Sequence, residues 1–177
     1  MANSPLVSYT KLSPNHSGKR THTIDRITPH AVVGQLSVER ICDCFKDRSR
    51  HASCNYCIGA DGRIGLCVDE ANRSWCSSSR DNDQRAVTIE CASDLAEPYA
   101  MKPEVYSALV ELCADICRRN NKKKLVWIAD RGKVLTYTVK SDEMLLTVHR
   151  WFAKKSCPGN WLFGRLDGLA KAVNSRI

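Results

Sequence analysis

The sequence predicts a single α/β domain in which helices flank a central mixed β-sheet. The chain has 177 residues, a length that fits one domain of about 100–200 residues. A chain of this size buries a hydrophobic core without a disulfide scaffold. Short runs rich in apolar and β-branched residues alternate with segments of helical periodicity, which is typical of a sheet packed against helices.

The first part of the chain predicts an arm followed by a strand. Residues 1–21 are polar and basic and contain prolines and glycine, so we expect a basic irregular N-terminal arm. The folded domain would then occupy residues 22–177. Alternation over residues 23–33 predicts a strand that ends near Pro29 and His30, because proline cannot donate to a β-ladder.

A helix and a hairpin follow. Residues 37–47 repeat apolar side chains at helical spacing behind Ser37, a plausible N-cap. Residues 55–58 and 64–68 predict two strands joined by a turn, because Asp61 and Gly62 form a typical hairpin sequence.

The second half predicts alternating strands and helices. Residues 86–91 read as a strand, and Pro103 opens the clearest helix, over residues 103–119, with one apolar stripe. The remaining apolar runs predict strands near 125–129 and 145–149 and a closing helix over 161–173.

Composition excludes several classes of protein. No run approaches the roughly 20 apolar residues of a membrane-spanning helix. The N-terminus has neither the basic nor the apolar region of a secretory signal, so we expect a cytoplasmic product that later acts elsewhere. The formal charge of +8 indicates an anionic partner.

The segment after the last predicted strand carries the clearest chemistry. His149 and Cys157 are eight positions apart, and Pro158 and Gly159 turn the chain directly afterwards. Imidazole and thiolate both suit Zn²⁺, and a catalytic zinc site takes three protein ligands and keeps one position open. His30, at the end of the first predicted strand, is the best-placed third ligand.

Five ordered segments resemble a known family, the zinc-dependent N-acetylmuramoyl-L-alanine amidases of the type-2 class. This class includes phage endolysins and is similar to peptidoglycan recognition proteins. The matching segments span residues 22–160 and are residues 27–34, 53–64, 68–75, 82–90 and 149–159.

The resemblance implies one catalytic Zn²⁺ held by His30, His149 and Cys157. It also implies catalytic roles for Glu90, as a proton acceptor and donor, and for Lys155, as a stabiliser of the oxyanion. The ion would lower the pKa of bound water to around 7. The bond cleaved would be the amide between N-acetylmuramic acid and L-alanine of peptidoglycan. A cysteine as third ligand also argues against the non-catalytic recognition proteins, which typically lack it.

The sequence departs from the family pattern in three places, the first being Pro29 before the predicted ligand His30, in a strand that is normally apolar. The position of a tyrosine that acts in some relatives holds Cys54, with Tyr56 two residues later, so a tyrosine role is doubtful and Glu90 gains weight. Cys76 follows Trp75 where the family often has a histidine. Arg73 and Trp75 are candidate substrate-binding residues.

The other cysteines have two interpretations. Cys42 and Cys44, with Cys54 and Cys57, could form a structural zinc site. However, helix and strand periodicity point the members of each pair in different directions. We therefore expect these cysteines, like the rest, to be reduced packing residues.

The basic residues have two interpretations, which are attraction to anionic wall polymers and a solvated face without a partner. We expect a monomeric lytic enzyme, an endolysin or autolysin, that is cytoplasmic until released to the wall and binds no nucleic acid. The alternatives are a non-catalytic peptidoglycan-binding module and, with less support, a cysteine-rich zinc protein that binds nucleic acid.

Overall fold

The computed structural model describes residues 2–177. Its main feature is a seven-stranded β-sheet. The strands of the chain are β1 (Val7–Thr10), β2 (His16–Lys19), β3 (Arg26–Ala31), β4 (Tyr56–Ile58), β5 (Ile64–Leu66), β6 (Asn72–Ser74), β7 (Ala86–Cys91), β8 (Lys124–Val126) and β9 (Glu143–Leu146). The order in the sheet is β1-β5-β4-β7-β3-β9-β8, while β2 and β6 form a separate antiparallel pair. All neighbours in the large sheet are parallel except β4 and β5, which confirms the predicted mixed sheet.

Six α-helices complete the described chain. They are α1 (Val38–Asp43), α2 (Arg80–Arg85), α3 (Pro103–Arg119), α4 (Arg131–Thr136), α5 (Gly159–Phe163) and α6 (Leu166–Asn174). The bounds of α3 match the prediction, because proline occupies its first turn and its apolar stripe is buried. None of the helices in residues 2–177 is long and apolar enough to cross a membrane.

Proline in the central strand β3 is tolerated because one side of that strand is unpaired there. β3 pairs with β7 along its whole length, but its pairing with β9 stops at Ile27. The nitrogen of Pro29 faces the β9 side beyond that point, as the bond from Thr147 N to Ile27 O indicates. The missing N–H therefore removes no ladder hydrogen bond.

The structure corrects the prediction for the N-terminal segment. Residues 1–21 are predicted to be irregular, but β1 and β2 lie inside this range. β1 adds a parallel edge strand to β5, and β2 pairs with β6. Their inward side chains are only half-buried, so neither strand carries a strong apolar alternation in the sequence.

Three other predicted elements differ in extent. α1 ends at Asp43, several residues before the predicted end. The predicted closing helix is two helices, because the chain leaves α5 at Gly164 and begins α6 at Leu166. The strand predicted over 145–149 is β9, which ends at Leu146, and His149 lies in the 3-10 turn that follows.

One row of residues crosses four strands on a single face of the sheet. Gly65 on β5 pairs with Cys57 on β4, Cys57 with Glu90 on β7, and Glu90 with His30 on β3. Paired residues of neighbouring strands point to the same face. Helix α1 packs on this face, because its Cys42 contacts Cys57.

Candidate active site

A cleft of about 670 Å³ opens where β3 and β7 end at their carboxyl termini. This edge is the usual ligand position in open α/β sheets. All seven predicted site residues line the cleft: His30, Arg73, Trp75, Glu90, His149, Lys155 and Cys157.

The three predicted metal ligands lie together. One ligand atom from each of His30, His149 and Cys157 falls within 4.8 Å of the other two. The Cys157 Sγ lies 3.3 Å from His30 Nδ1, and the two imidazole centroids are 5.1 Å apart. The sequence brings them together through a short loop, since Arg150 N donates to Cys157 O and closes the chain between His149 and Cys157.

The electrostatics of this group fit a metal ion. Burial lowers the pKa of His30 well below its ordinary value, with a smaller contribution from the charge of His149. Burial and the nearby Lys155 ammonium also lower the pKa of His149. Both imidazoles are therefore neutral, as metal ligation requires. His30 Nε2 is buried without a hydrogen-bond partner, an orphaned atom that is typical of a ligand site.

Glu90 stands beside this group as an unpaired carboxylate. It is paired in register with His30, and its Oε2 is buried without a hydrogen-bond partner. Its Oε1 accepts from the Cys76 thiol at 3.7 Å. Burial raises the pKa of Glu90 to about 7, partly offset by that thiol contact. Such a carboxyl group can exchange a proton near neutral pH.

Lys155, Arg73 and Trp75 form parts of the cleft wall. Lys155 is exposed and lies two residues before Cys157. Arg73 and Trp75 are half-buried, and both donate to Ser17 Oγ, the latter through Nε1 at 2.7 Å. Arg73 makes no ion pair with Glu90, so the carboxylate is not neutralised by that guanidinium.

Several residues that line the cleft have no functional role predicted from the sequence. Cys76 contacts Glu90, and Ser78 Oγ lies 2.9 Å from His149 Nε2. Ser78 has a positive φ of 61°, and no sequence signal indicates that conformation. Tyr99 also lines the cleft, whereas Tyr56 is fully buried and donates to Glu70 at 2.6 Å. Tyr56 is therefore structural, in line with the doubt raised by its sequence position.

The fold and the site define an α/β domain whose cleft contains a histidine–histidine–cysteine group that could hold a metal. The family of N-acetylmuramoyl-L-alanine amidases matches residues 20–160. The chain belongs to this family. The predicted activity, an amidase that lyses peptidoglycan, is thereby confirmed.

Solved structures with similar folds include an endolysin, an N-acetylmuramoyl-L-alanine amidase and a hydrolase. A mutant endolysin from Bacillus subtilis has a TM-score of 0.66 at 14% identity, covering 98% of this chain and 99% of its own. The N-acetylmuramoyl-L-alanine amidase LysC from Clostridium intestinale URNW has a TM-score of 0.62 at 15% identity, covering 93% and 97%. The hydrolase AmiA of Staphylococcus aureus, solved with its ligand, has a TM-score of 0.67 at 12% identity, covering 98% and 84%. No curated protein matches the sequence significantly.

Proposed function

We propose that the protein cleaves the amide bond between N-acetylmuramic acid and L-alanine with one Zn²⁺ held by His30, His149 and Cys157. The observation that carries the proposal is the meeting of these three donor groups, within 4.8 Å of one another, in the main cleft. Three protein ligands beside an open cleft are the arrangement of catalytic rather than structural zinc. When bound, the ion supplies Lewis acidity toward the scissile carbonyl and lowers the pKa of water.

Glu90 is proposed to move the proton. Its unpaired Oε2 accepts a proton from the water that attacks the carbonyl carbon. The carboxyl group then gives that proton to the amine nitrogen of alanine as the carbon–nitrogen bond breaks. The products are the free lactyl carboxylate and a new N-terminal alanine. The pKa of about 7 suits both halves of this transfer.

The cleft cations and an aromatic ring are proposed to position the substrate. The Lys155 ammonium faces the cleft beside the metal ligands and stabilises negative charge on the carbonyl oxygen. Arg73 binds a carboxylate of the stem peptide, since a guanidinium makes paired hydrogen bonds with carboxylates. Trp75, two residues later on the same wall, gives the peptide an apolar surface.

Anionic wall polymers are proposed to bind the basic surface. The sequence places Lys123, Lys124 and Lys154 at exposed positions. Other cations of the basic runs are engaged internally, because Lys11 pairs with Asp43 and the Arg20 guanidinium is bonded to Asn55 at 2.9 Å. The protein is proposed to act as a monomer.

The test measures turbidity loss of a bacterial wall suspension together with new N-terminal alanine. We expect Glu90→Gln and Cys157→Ser each to abolish both signals while the far-ultraviolet circular dichroism stays unchanged. A chelator should abolish both signals in the unmodified protein, and added Zn²⁺ should restore them.

Matched controls separate chemistry from folding. Lys171→Ala removes an exposed cation on α6 that pairs with Asp167 and lies outside the cleft, so it should keep full activity while Lys155→Ala loses it. Wall lysis by Cys157→Ser at the unmodified rate would contradict the ligand assignment. Wall binding without release of alanine would contradict the catalytic proposal as a whole.

A further inference from the structure

A second group of possible metal ligands lies outside the cleft, under helix α1. The Sγ atoms of Cys42, Cys57 and Cys67 are mutually close, at 3.5 Å for Cys42–Cys57, 3.3 Å for Cys42–Cys67 and 3.8 Å for Cys57–Cys67. All three residues are buried, and none is in a disulfide. We propose that this thiol cluster, defined as Cys42, Cys57 and Cys67, binds a structural Zn²⁺ that is distinct from the catalytic ion.

The sulfur separations match thiolate coordination. A zinc–sulfur bond of about 2.3 Å in tetrahedral geometry places neighbouring sulfur atoms about 3.8 Å apart. The three observed separations lie at or slightly below this value. A disulfide would instead require a separation of about 2.0 Å between two sulfur atoms and would leave the third cysteine out.

Three separate elements build the cluster. Cys42 comes from α1, Cys57 from β4, and Cys67 directly follows β5. The sulfur atoms therefore converge from a helix and both arms of a hairpin, which short-range sequence spacing does not predict. Cys44, the partner of Cys42 in the sequence motif, is exposed and directs its thiol to Arg40 O.

The absence of a side chain at Gly65 leaves space for the thiol cluster on this face of the sheet. Gly65 is the β5 partner of Cys57, and a Cβ at this position would lie 2.8 Å from Cys57 Sγ and 3.3 Å from Cys42 Sγ. The same Cβ would lie 2.6 Å from Val38 Cγ2. Any larger residue would displace both the thiols and α1.

Among the described residues, the sulfur atoms of this group that lie within 4.8 Å of one another are those of Cys42, Cys57 and Cys67, so the cluster supplies three thiolates. A structural zinc site takes a fourth ligand. The fully buried Cys54 would have to turn its thiol toward the ion to supply it. Thiolates also select Zn²⁺ over harder cations such as Mg²⁺.

The ion would fasten α1 to the β4–β5 hairpin. The residues that directly follow α1, Cys44 and Phe45, line the cleft. A metal that fixes α1 therefore also fixes this part of the cleft wall. This role is structural, and it does not require that the catalytic proposal be correct.

The test counts zinc per chain and identifies its ligands. Protein purified with Zn²⁺ should contain two ions per chain by elemental analysis. In Cys157→Ser, which removes a cleft ligand, one ion should remain, and X-ray absorption should show sulfur ligands only. In Cys57→Ala with Cys67→Ala, one ion should also remain, with mainly nitrogen and oxygen neighbours.

A matched control and the opposing outcomes complete the design. Cys113→Ala changes an equally buried cysteine on α3 outside the cluster and should keep both ions. One ion per chain in the unmodified protein, with mixed nitrogen and sulfur ligands, would overturn the proposal even if the cluster variant failed to fold. A disulfide between two cluster cysteines would also overturn the proposal. It would make the chain two hydrogens lighter than the reduced chain, and adding a reductant would remove this mass difference.

Discussion

Removing the guanidinium of Arg119 should strongly destabilise the fold. Arg119 forms an ion pair with Glu70, which lies far from it in the sequence. The Glu70 side chain is 0% exposed, and its two oxygens accept from Arg119 at 2.9 and 2.7 Å. Tyr56 donates to the same carboxylate at 2.6 Å. Arg119 also donates to Ala2 O at 2.8 Å and so attaches the N-terminal segment.

The magnitude follows from the burial of this pair. Removing one partner of a buried ion pair leaves an uncompensated charge, which costs about 3–5 kcal/mol. A domain of this size loses roughly 2–4 °C in Tm per kcal/mol, so Arg119→Ala should lower Tm by about 6–20 °C. Tyr56 and Asn120 still donate to Glu70, which favours the lower half of this range.

The assay is urea unfolding followed by circular dichroism, with a double-mutant cycle. Arg118→Ala is the control, because its guanidinium donates only to Arg176 O at the surface, and it should change stability by less than about 0.5 kcal/mol. Glu70→Gln combined with Arg119→Ala should be more stable than the sum of the single changes predicts, by about 0.5–3 kcal/mol. An Arg119→Ala protein as stable as the Arg118→Ala protein would refute the reasoning.

The remaining predictions concern two glycines, one helix cap and the binding of bacterial walls. Gly65→Ala should destabilise the protein by about 1–3 kcal/mol through overpacking against Val38. Gly168→Ala in α6, whose Cβ would meet only Tyr106 Oη at 3.7 Å, should instead stabilise it by about 0.5–1 kcal/mol; equal effects in thermal melts would contradict the packing argument. Ser79→Ala removes the cap that accepts from Asn82 N and should cost about 1 kcal/mol by urea unfolding, whereas no loss would show that the cap is dispensable. Binding to purified walls should weaken as salt rises, because the exposed lysines are screened, and salt-independent cosedimentation would exclude the wall-polymer proposal.

Local sequence signals predict those helices and hairpins whose determining residues lie within a few positions of one another. Pro103 and a continuous apolar stripe define α3, and Asp61-Gly62 defines the hairpin between β4 and β5. β1 and β2 are missed because their partners, β5 and β6, lie roughly 50 residues away in sequence, a separation that local periodicity does not report.

The candidate site is predictable for a different reason. His149 and Cys157 are close in the sequence and their spacing pairs them, whereas His30 comes from a distant segment, and the ordered resemblance to a family supports joining it to them. No family resemblance indicates the thiol cluster in the sequence. Sequence spacing pairs Cys42 with Cys44, whereas the fold brings Cys42 to Cys67, because the hairpin returns the chain under α1.

One row on one face of the sheet contains Gly65, Cys57, Glu90 and His30. The thiol cluster at one end of this row and the candidate metal ligands at the other therefore depend on the same alignment of strands. If β7 paired one residue out of register, Glu90 would turn to the opposite face, which Cys91 now occupies. Cys57 lies next to Glu90 in that row and is fully buried. In metal-free protein, the rate at which Cys57 reacts with an alkylating reagent therefore reports whether β4 and its neighbouring strands are folded together. A metal-free preparation whose Cys57 is protected has the strand beside Glu90 in place before any wall is added.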